Sequence, residues 1–534
     1  MSVSTAAVRG VREWIGHNVP RVLERSTLAL WAVAAIIAPI VVFVVLNDRI
    51  MKAPLGYDEQ FFVWGGWNIL RGQRPYVDFF EFKPPMVFIT HALALALAGT
   101  KGLYYRASFS ALALLSLTGL HLSVASRGIP RALGVAFLVA VTYQWVNPAY
   151  HDNALQDAES IGLIYYFAAL AALLANSGRH RRWFEMAGGA FLALNALSKE
   201  PFVGVVVGTW VTAFFVNYGT TDIRKHVVHY VKNTAIGAGI VVLGIVLYMG
   251  PTGALRRYVE LVIEYAALFR NPKTSYCVVL GRWKPGTPLH DLLAQVQYIR
   301  AQFFNVATIG YLTPFFVVSF VFTWVRSRLL FVCSFVTMLL SIYAVTATNC
   351  QWPHYYNMAL PGIFLFCLVG LDSLKPYMEG CPPLVRHWIG AVFLGTIAVF
   401  VSPRFLSEFE GYPYKWAKIT DPVPGVYDFI AKNTVPSDRI FTTGEPQLYM
   451  YANRLSALRE SSIIDEFMDY YPGNTDVEKV RHLREQLVRN RPKVIILDPG
   501  FASRKVRHMN ALMTPFINDF GYQKVGSDFY VRPN

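Results

Sequence analysis

The sequence predicts a polytopic α-helical membrane protein of about eleven spans, followed by a small α/β domain. Three observations carry this. Of 534 residues, 54% are hydrophobic and only 16% are charged, with a mean hydropathy of +0.35; a water-soluble chain this apolar would expose large sticky patches. Apolar runs of spanning length recur between Ser26 and Ser402. Beyond residue 402 they give way to short strand-like and helix-like segments.

The elements follow in order. Arg9, Arg12, Arg21 and Arg25 precede the first apolar run, which puts segment 1–26 in the cytoplasm. This stretch does not read as a cleavable signal, because no small-residue cleavage site follows the run. The first span covers 27–46 and delivers the chain to the outer side. Basic clusters at 127–131, 179–182, 224–226, 326–328 and 375–386 mark later cytoplasmic turns. They set spans at 105–125, 131–147, 159–176, 184–198, 201–217, 233–250, 304–324, 329–346, 358–373 and 387–402. The run 86–100 is apolar too, but counting it as a span would put every later basic cluster outside. It is therefore expected to be a short juxtamembrane or re-entrant helix on the outer side. The membrane domain then runs 27–402 with outer loops 47–104 and 251–303, and the odd span count leaves the tail 403–534 outside.

Within the tail, Arg439 to Thr443 and Lys493 to Leu497 read as strands, with a last strand near 528–532. Thr475-Asp476-Val477-Glu478 is a capping box opening a helix over 476–489. A further helix is expected over 505–519. Strands alternating with helices predict a compact α/β domain. The chain shows no internal repeat, and the tail no glycine-rich phosphate loop.

The net charge of +15 does not point to nucleic acid, because the cations cluster between the apolar runs, where topology explains them. Five cysteines are too few for a disulfide scaffold. Cys333 and Cys367 fall in spans and are expected to pack. Cys277 and Cys350 fall in outer loops, and the sequence leaves open whether they pair.

Function is read from what this topology collects on the outer face. Asp58, Glu59, Glu81 and Lys83 lie in the first outer loop, and Arg106 begins the next span. Asp157 and Glu159 open one span; Lys199 and Glu200 close another ahead of Pro201. Arg256, Arg257 and Arg270 lie in the long loop 251–303, and His354-Tyr355-Tyr356 precedes Pro361. Ionisable groups at membrane depth are costly and usually have partners or a task. Carboxylates beside several cations suit a reaction in which a hydroxyl attacks and an anionic group leaves. A carboxylate removes the hydroxyl proton, and Lys or Arg neutralises charge growing on a departing phosphate. Each group also has a purely structural reading: Asp157 or Glu159 as a helix cap, Lys83 and Lys199 snorkelling to headgroups, His354 in an aromatic belt with Tyr355 and Tyr356. No HExxH, CxxC or GxSxG occurs, so no metal or other cofactor is expected and acyl transfer has no support.

The run Gly56-Tyr57-Asp58-Glu59-Gln60, then Leu70-Arg71-Gly72-Gln73-Arg74-Pro75-Tyr76-Val77-Asp78, then Lys83-Pro84-Pro85 resembles the first outer loop of GT-C glycosyltransferases. The branch it looks most like is that of the protein mannosyltransferases and aminoarabinose transferases. Arg106, the segment from Ala154 to Glu159, Leu197 to Pro201 and His354 to Pro361 follow in that family's order. The resemblance covers about 27–373 and, more loosely, the outer α/β tail. It implies an inverting transfer of a sugar from a polyprenyl-phosphate carrier to a hydroxyl acceptor on the outer face of a bacterial inner membrane. By that resemblance Asp58 is the general base. Glu59, Glu81, Asp157 and Glu159 are candidates for orienting the acceptor; Lys83, Lys199, Arg106, Arg270, His354 and Tyr355 are candidates for holding the donor phosphate. The branch's lipid-monophosphate donors usually need no metal. The partners expected are the lipid-linked donor, a glycan, glycolipid or protein acceptor, and the bilayer. Competing readings are a transporter or flippase of lipid-linked sugars, a glycan ligase or polymerase using a diphosphate-linked donor, and a non-catalytic scaffold.

Overall fold

A computed structural model of the chain describes residues 57–80, 83–100, 102–129, 131–146, 157–175, 180–219, 222–270, 312–346, 353–382, 385–386, 388–397, 399, 424–444, 446–459, 476–497, 513–526 and 529–533. The first expected span, Glu81, Cys277, Cys350 and Thr475 lie outside these residues.

Two short helices open the described chain: α1 (Tyr57–Leu70) and α2 (Pro85–Ala98). The apolar segment expected as a juxtamembrane helix is α2. The α1 helix stands where the sequence suggested loop. Longer helices follow: α3 (Gly102–Ser126), α4 (Arg131–Val146), α5 (Ala158–Leu174), α6 (Arg181–Ala196), α7 (Phe202–Tyr218), α8 (Ile223–Met249) and α9 (Ala254–Arg270). Then come α10 (Thr313–Arg326, with a π-turn at Ser319–Thr323), α11 (Arg328–Thr346), α12 (Leu360–Glu379) and α13 (Trp388–Ile397). Each span range expected from 105 onward thus holds a helix. Among the described residues, Tyr104–Ser126, Ile223–Met249, Arg328–Val345 and Tyr355–Glu379 are long and apolar enough to cross a membrane. The protein is built around a membrane-embedded helical domain.

The α12 helix runs inside the bundle: every residue from Leu360 to Leu374 is buried. Small residues set the closest approaches. A Cβ on Gly189 would lie 2.1 Å from the Thr234 carbonyl oxygen, and one on Gly237 1.8 Å from that of Met186, so α6 and α8 meet backbone to backbone. At one end of the bundle Arg127, Arg326 and Asp372 tie α3, α10 and α12 together. Asp372 accepts from Arg127 Nε at 2.9 Å and from Arg326 Nη1 at 2.7 Å. Arg127 also donates to Asn217 Oδ1 at 3.0 Å and to the Val216 carbonyl at 3.1 Å, adding α7. This knot lies at the C-terminal ends of α3 and α7, where the sequence places cytoplasmic turns.

In the tail, the described residues form helices and one five-stranded sheet. The sheet has the order β2-β1-β3-β5-β4, from β1 (Arg439–Thr442), β2 (Leu455–Ser456), β3 (Val494–Ile496), β4 (Gln523–Lys524) and β5 (Phe529–Val531). The β1 strand runs parallel to β2 and β3, with Ile440 opposite Val494, while β5 is antiparallel to β3 and β4. Helices α14 (Pro424–Asn433), α15 (Gln447–Tyr451) and α16 (Asp476–Asn490) accompany it. The sheet domain docks on α1 and the loop after it. The Trp64 and Tyr449 rings lie 6.1 Å apart, and the Phe80 amide donates to the Arg459 carbonyl at 2.7 Å. The tail therefore sits at the same end as Asp58, opposite the Arg127 knot.

Candidate active site

The site is assembled where the N-terminal ends of α1, α3 and α5 meet the loop between α6 and α7. Helix α1 begins with Tyr57-Asp58-Glu59, acidic residues in a first turn that favours negative charge. Gly65 and Gly66 let α2 lie directly on α1: a Cβ on Gly66 would be 2.6 Å from the Ala92 amide nitrogen. Asp58 is half-buried on the first turn, and Glu59 is fully buried. Consecutive helix residues point about 100° apart, so the two carboxylates serve different surroundings.

Glu59 faces α3. Its carboxylate accepts Arg106 Nε at 2.9 Å and Nη2 at 2.6 Å, with both side chains buried. Arg106, a candidate phosphate ligand in the sequence, has in Glu59 a bidentate partner. The adjoining Tyr105 hydroxyl is hydrogen-bonded to His91 Nδ1, which fixes α2 against α3.

Glu159 stands on the first turn of α5 and pairs with Lys199 Nζ at 2.6 Å, again with both side chains buried. The ammonium also lies 4.7 Å from the Tyr355 ring centroid, a cation–π contact. Burial works against the Lys199 charge, but Glu159 outweighs it and raises the ammonium pKa. Burial pushes the neighbouring Glu200 carboxyl up, with Lys199 and Lys83 pulling the other way. Asp157 is buried at the N-cap of α5 in extended backbone, without a side-chain hydrogen bond to the helix amides.

Lys83 follows loop 71–80 and precedes Pro84-Pro85. The Met86 amide donates to the Leu197 carbonyl at 3.2 Å, so this segment lies against the strand of chain that carries Lys199. Lys83 is half-buried, and the Tyr76 hydroxyl donates to its carbonyl at 2.6 Å. His354 lies in the 3-10 turn Pro353–Met358, and Arg270 ends α9; their side chains lie outside the described ones. The Asn357 amide donates to Ser160 Oγ at 3.3 Å, which brings that turn to the start of α5. Asp58, Glu59, Lys83, Arg106, Asp157, Glu159, Lys199 and Tyr355 are thus gathered at one end of the bundle. Sequence reading passed over Tyr258 and Arg459, which contact Tyr76 from α9 and from the tail, and it quoted Tyr76 only within the loop run. Nothing local marks Arg459, whose side chain donates to the Tyr76 carbonyl 383 residues away.

No group of three or more potential metal ligands occurs among the described residues. Chemically, the arrangement offers the half-buried Asp58 carboxylate at the same end of an apolar bundle as the half-buried Lys83 and the buried Lys199.

No family model matches the chain, and no curated protein matches it in sequence. Solved structures match it in fold. The crystal structure of ArnT, an aminoarabinose transferase, from Cupriavidus metallidurans in the apo state matches with a TM-score of 0.51 at 15% identity. It covers 96% of this chain and 98% of that one. The same protein bound to undecaprenyl phosphate gives 0.53 at 14% identity, covering 94% and 98%. The Archaeoglobus fulgidus oligosaccharyltransferase in complex with Zn and sulfate gives 0.51 at 13% identity, covering 93% and 73%. These proteins belong to the GT-C superfamily. The chain has the GT-C fold.

Proposed function

We propose that the protein is a membrane glycosyltransferase that moves a sugar from a polyprenyl-monophosphate carrier to a hydroxyl acceptor. The observation that carries this reading is the meeting of Asp58, Lys83 and the Lys199–Glu159 pair at one end of the helical domain. A lipid tail belongs among apolar helices, and a phosphate at their rim needs cations. The solved relative holding undecaprenyl phosphate has the same fold.

On this reading the Asp58 carboxylate takes the acceptor hydroxyl proton as that oxygen bonds the anomeric carbon. The bond from the anomeric carbon to the phosphate oxygen breaks, and its electron pair leaves with the lipid phosphate. Lys83 and Lys199 neutralise the growing charge. Attack opposite the leaving group inverts the anomeric centre. Glu59 and Arg106 fix the start of α1, while Asp157, Glu81, Arg270, His354 and Tyr355 border the donor or acceptor. Because lysines carry the leaving charge, turnover is expected to withstand chelation. The site faces the outside of the plasma membrane, where a lipid-linked donor replaces nucleotide sugars. The Arg127 knot faces the cytoplasm, and eleven spans leave the N-terminus cytoplasmic and the tail outside.

The test uses the full chain in nanodiscs with labelled polyprenyl-monophosphate sugars and a membrane-lipid extract. Wild type is expected to transfer or release sugar, with or without EDTA. Asp58→Asn is expected to bind carrier and lose turnover by at least about a hundredfold. Movement of intact carrier without sugar transfer would favour a flippase, and turnover only with diphosphate carriers would favour a ligase or polymerase. Undiminished turnover in Asp58→Asn would remove the base from this mechanism.

A further inference from the structure

Tyr76 has a backbone φ of +64°, a region that side chains with a Cβ rarely occupy. Its ring is nevertheless fully buried. Three parts of the chain, distant in sequence, converge on it. The hydroxyl donates to the Lys83 carbonyl at 2.6 Å. The ring lies 5.1 Å from that of Tyr258, on α9 in the long outer loop. The Tyr76 carbonyl accepts Arg459 Nη2 at 3.0 Å, from the tail domain.

Arg459 is itself firmly held. Its carbonyl accepts the Phe80 amide at 2.7 Å, and its amide donates to Gln486 Oε1 on α16 at 3.0 Å. Just before it, Asn490 donates to the Ala457 carbonyl at 2.6 Å. The tail thus presents one arginine at a fixed place to both ends of segment 76–80.

Placing a lysine ammonium starts with its main chain, because the four-carbon stem is flexible. Beyond Lys83 the chain is stiff: Pro84 and Pro85 have fixed φ, and a residue before proline is confined to extended backbone. The freedom that remains lies in the approach from residue 76, and the Tyr76 hydroxyl closes it.

We propose that Arg459 and Tyr76 are positioning residues for Lys83, so that docking of the tail domain sets how tightly the site holds a lipid phosphate. The proposal rests on the reading of Lys83 as a phosphate ligand. Arg459 acts through Tyr76, and it couples a domain outside the membrane to the donor end of the reaction.

The test measures binding of undecaprenyl monophosphate to the full chain in nanodiscs, with thermal stability recorded for each variant. Lys83→Ala serves as the reference and is expected to bind at least about tenfold more weakly. Tyr76→Phe keeps the ring and the carbonyl; Arg459→Ala removes the tail's donor. Each is expected to weaken binding about fivefold and to lower kcat/KM for the donor by at least about as much. The double variant is expected to be no weaker than the weaker single variant, and Arg459→Lys to recover part of the loss. If Lys83→Ala binds poorly while Tyr76→Phe and Arg459→Ala bind like wild type, the relay is wrong and the phosphate reading stands. Losses that multiply in the double variant also overturn the relay. If Lys83→Ala binds normally, the phosphate reading itself fails.

Discussion

Glu59 receives both prongs of the Arg106 guanidinium, at 2.9 and 2.6 Å, across 47 residues of sequence and with both side chains buried. A buried ion pair is a weak source of net stability, yet removing one partner strands a charge. Glu59→Ala or Arg106→Ala is therefore expected to destabilise the protein by about 3–5 kcal/mol. The double change Glu59→Leu with Arg106→Met is expected to recover most of that. Thermal unfolding in a fixed detergent checks it; a double variant no better than the singles would show that the pair contributes more than mutual neutralisation.

The second buried pair makes a different demand. Lys199 balances Glu159 at 2.6 Å and on our reading also faces the phosphate. Lys199→Met is expected to lose at least about tenfold in binding of undecaprenyl monophosphate. Glu159→Gln keeps the lysine and removes the competing charge, so binding is expected to stay within about threefold of wild type. Titration of both variants with the lipid decides, and equal losses would tell against Lys199 as a direct ligand.

At the other end of the bundle, Asp372 neutralises Arg127 and Arg326. Asp372→Ala is expected to cost about 3 kcal/mol, the low end of the buried range because Arg326 is partly exposed. The surviving folded protein should keep its kcat, since this knot lies far from Asp58 along the bundle. Stability and turnover measured on one preparation separate the two effects.

Asp78 offers a test by pH. Its hydrogen bonds from Arg74 hold its carboxyl below the usual carboxylate range. A depressed folded pKa means that the contribution is present above the unfolded value, near pH 3.9 for aspartate, and fades as pH falls through the folded one. Asp78→Asn should therefore lower the melting temperature at pH 7 and matter progressively less as the pH falls below about 4. A gap that stays constant across this range would mean that Asp78 acts through packing.

Much of this architecture was legible because apolar runs and basic clusters report directly on a bilayer. The α8 helix begins ten residues before the expected 233, because its first turns carry Arg224, Lys225 and His226 and read as loop. The α1 helix was hidden by Gly65-Gly66, which argue against a helix until α2 is found resting on them. The strands β2 and β4 are two residues each, too short for alternation to show. The candidate site was legible as a list of polar residues on one face. Its pairing was not: Glu59 with Arg106 and Glu159 with Lys199 join segments 40 or more residues apart, and no local spacing encodes such choices.

The contact of α6 with α8 has a mechanical consequence. With Gly189 on the Thr234 carbonyl and Gly237 on that of Met186, no layer of side chains separates these helices to act as a lubricant. Rotamer changes cannot slide them past each other, so they behave as a single plank. On the proposed reading, a lipid carrier would enter along a seam padded by side chains, with the plank as the fixed jamb.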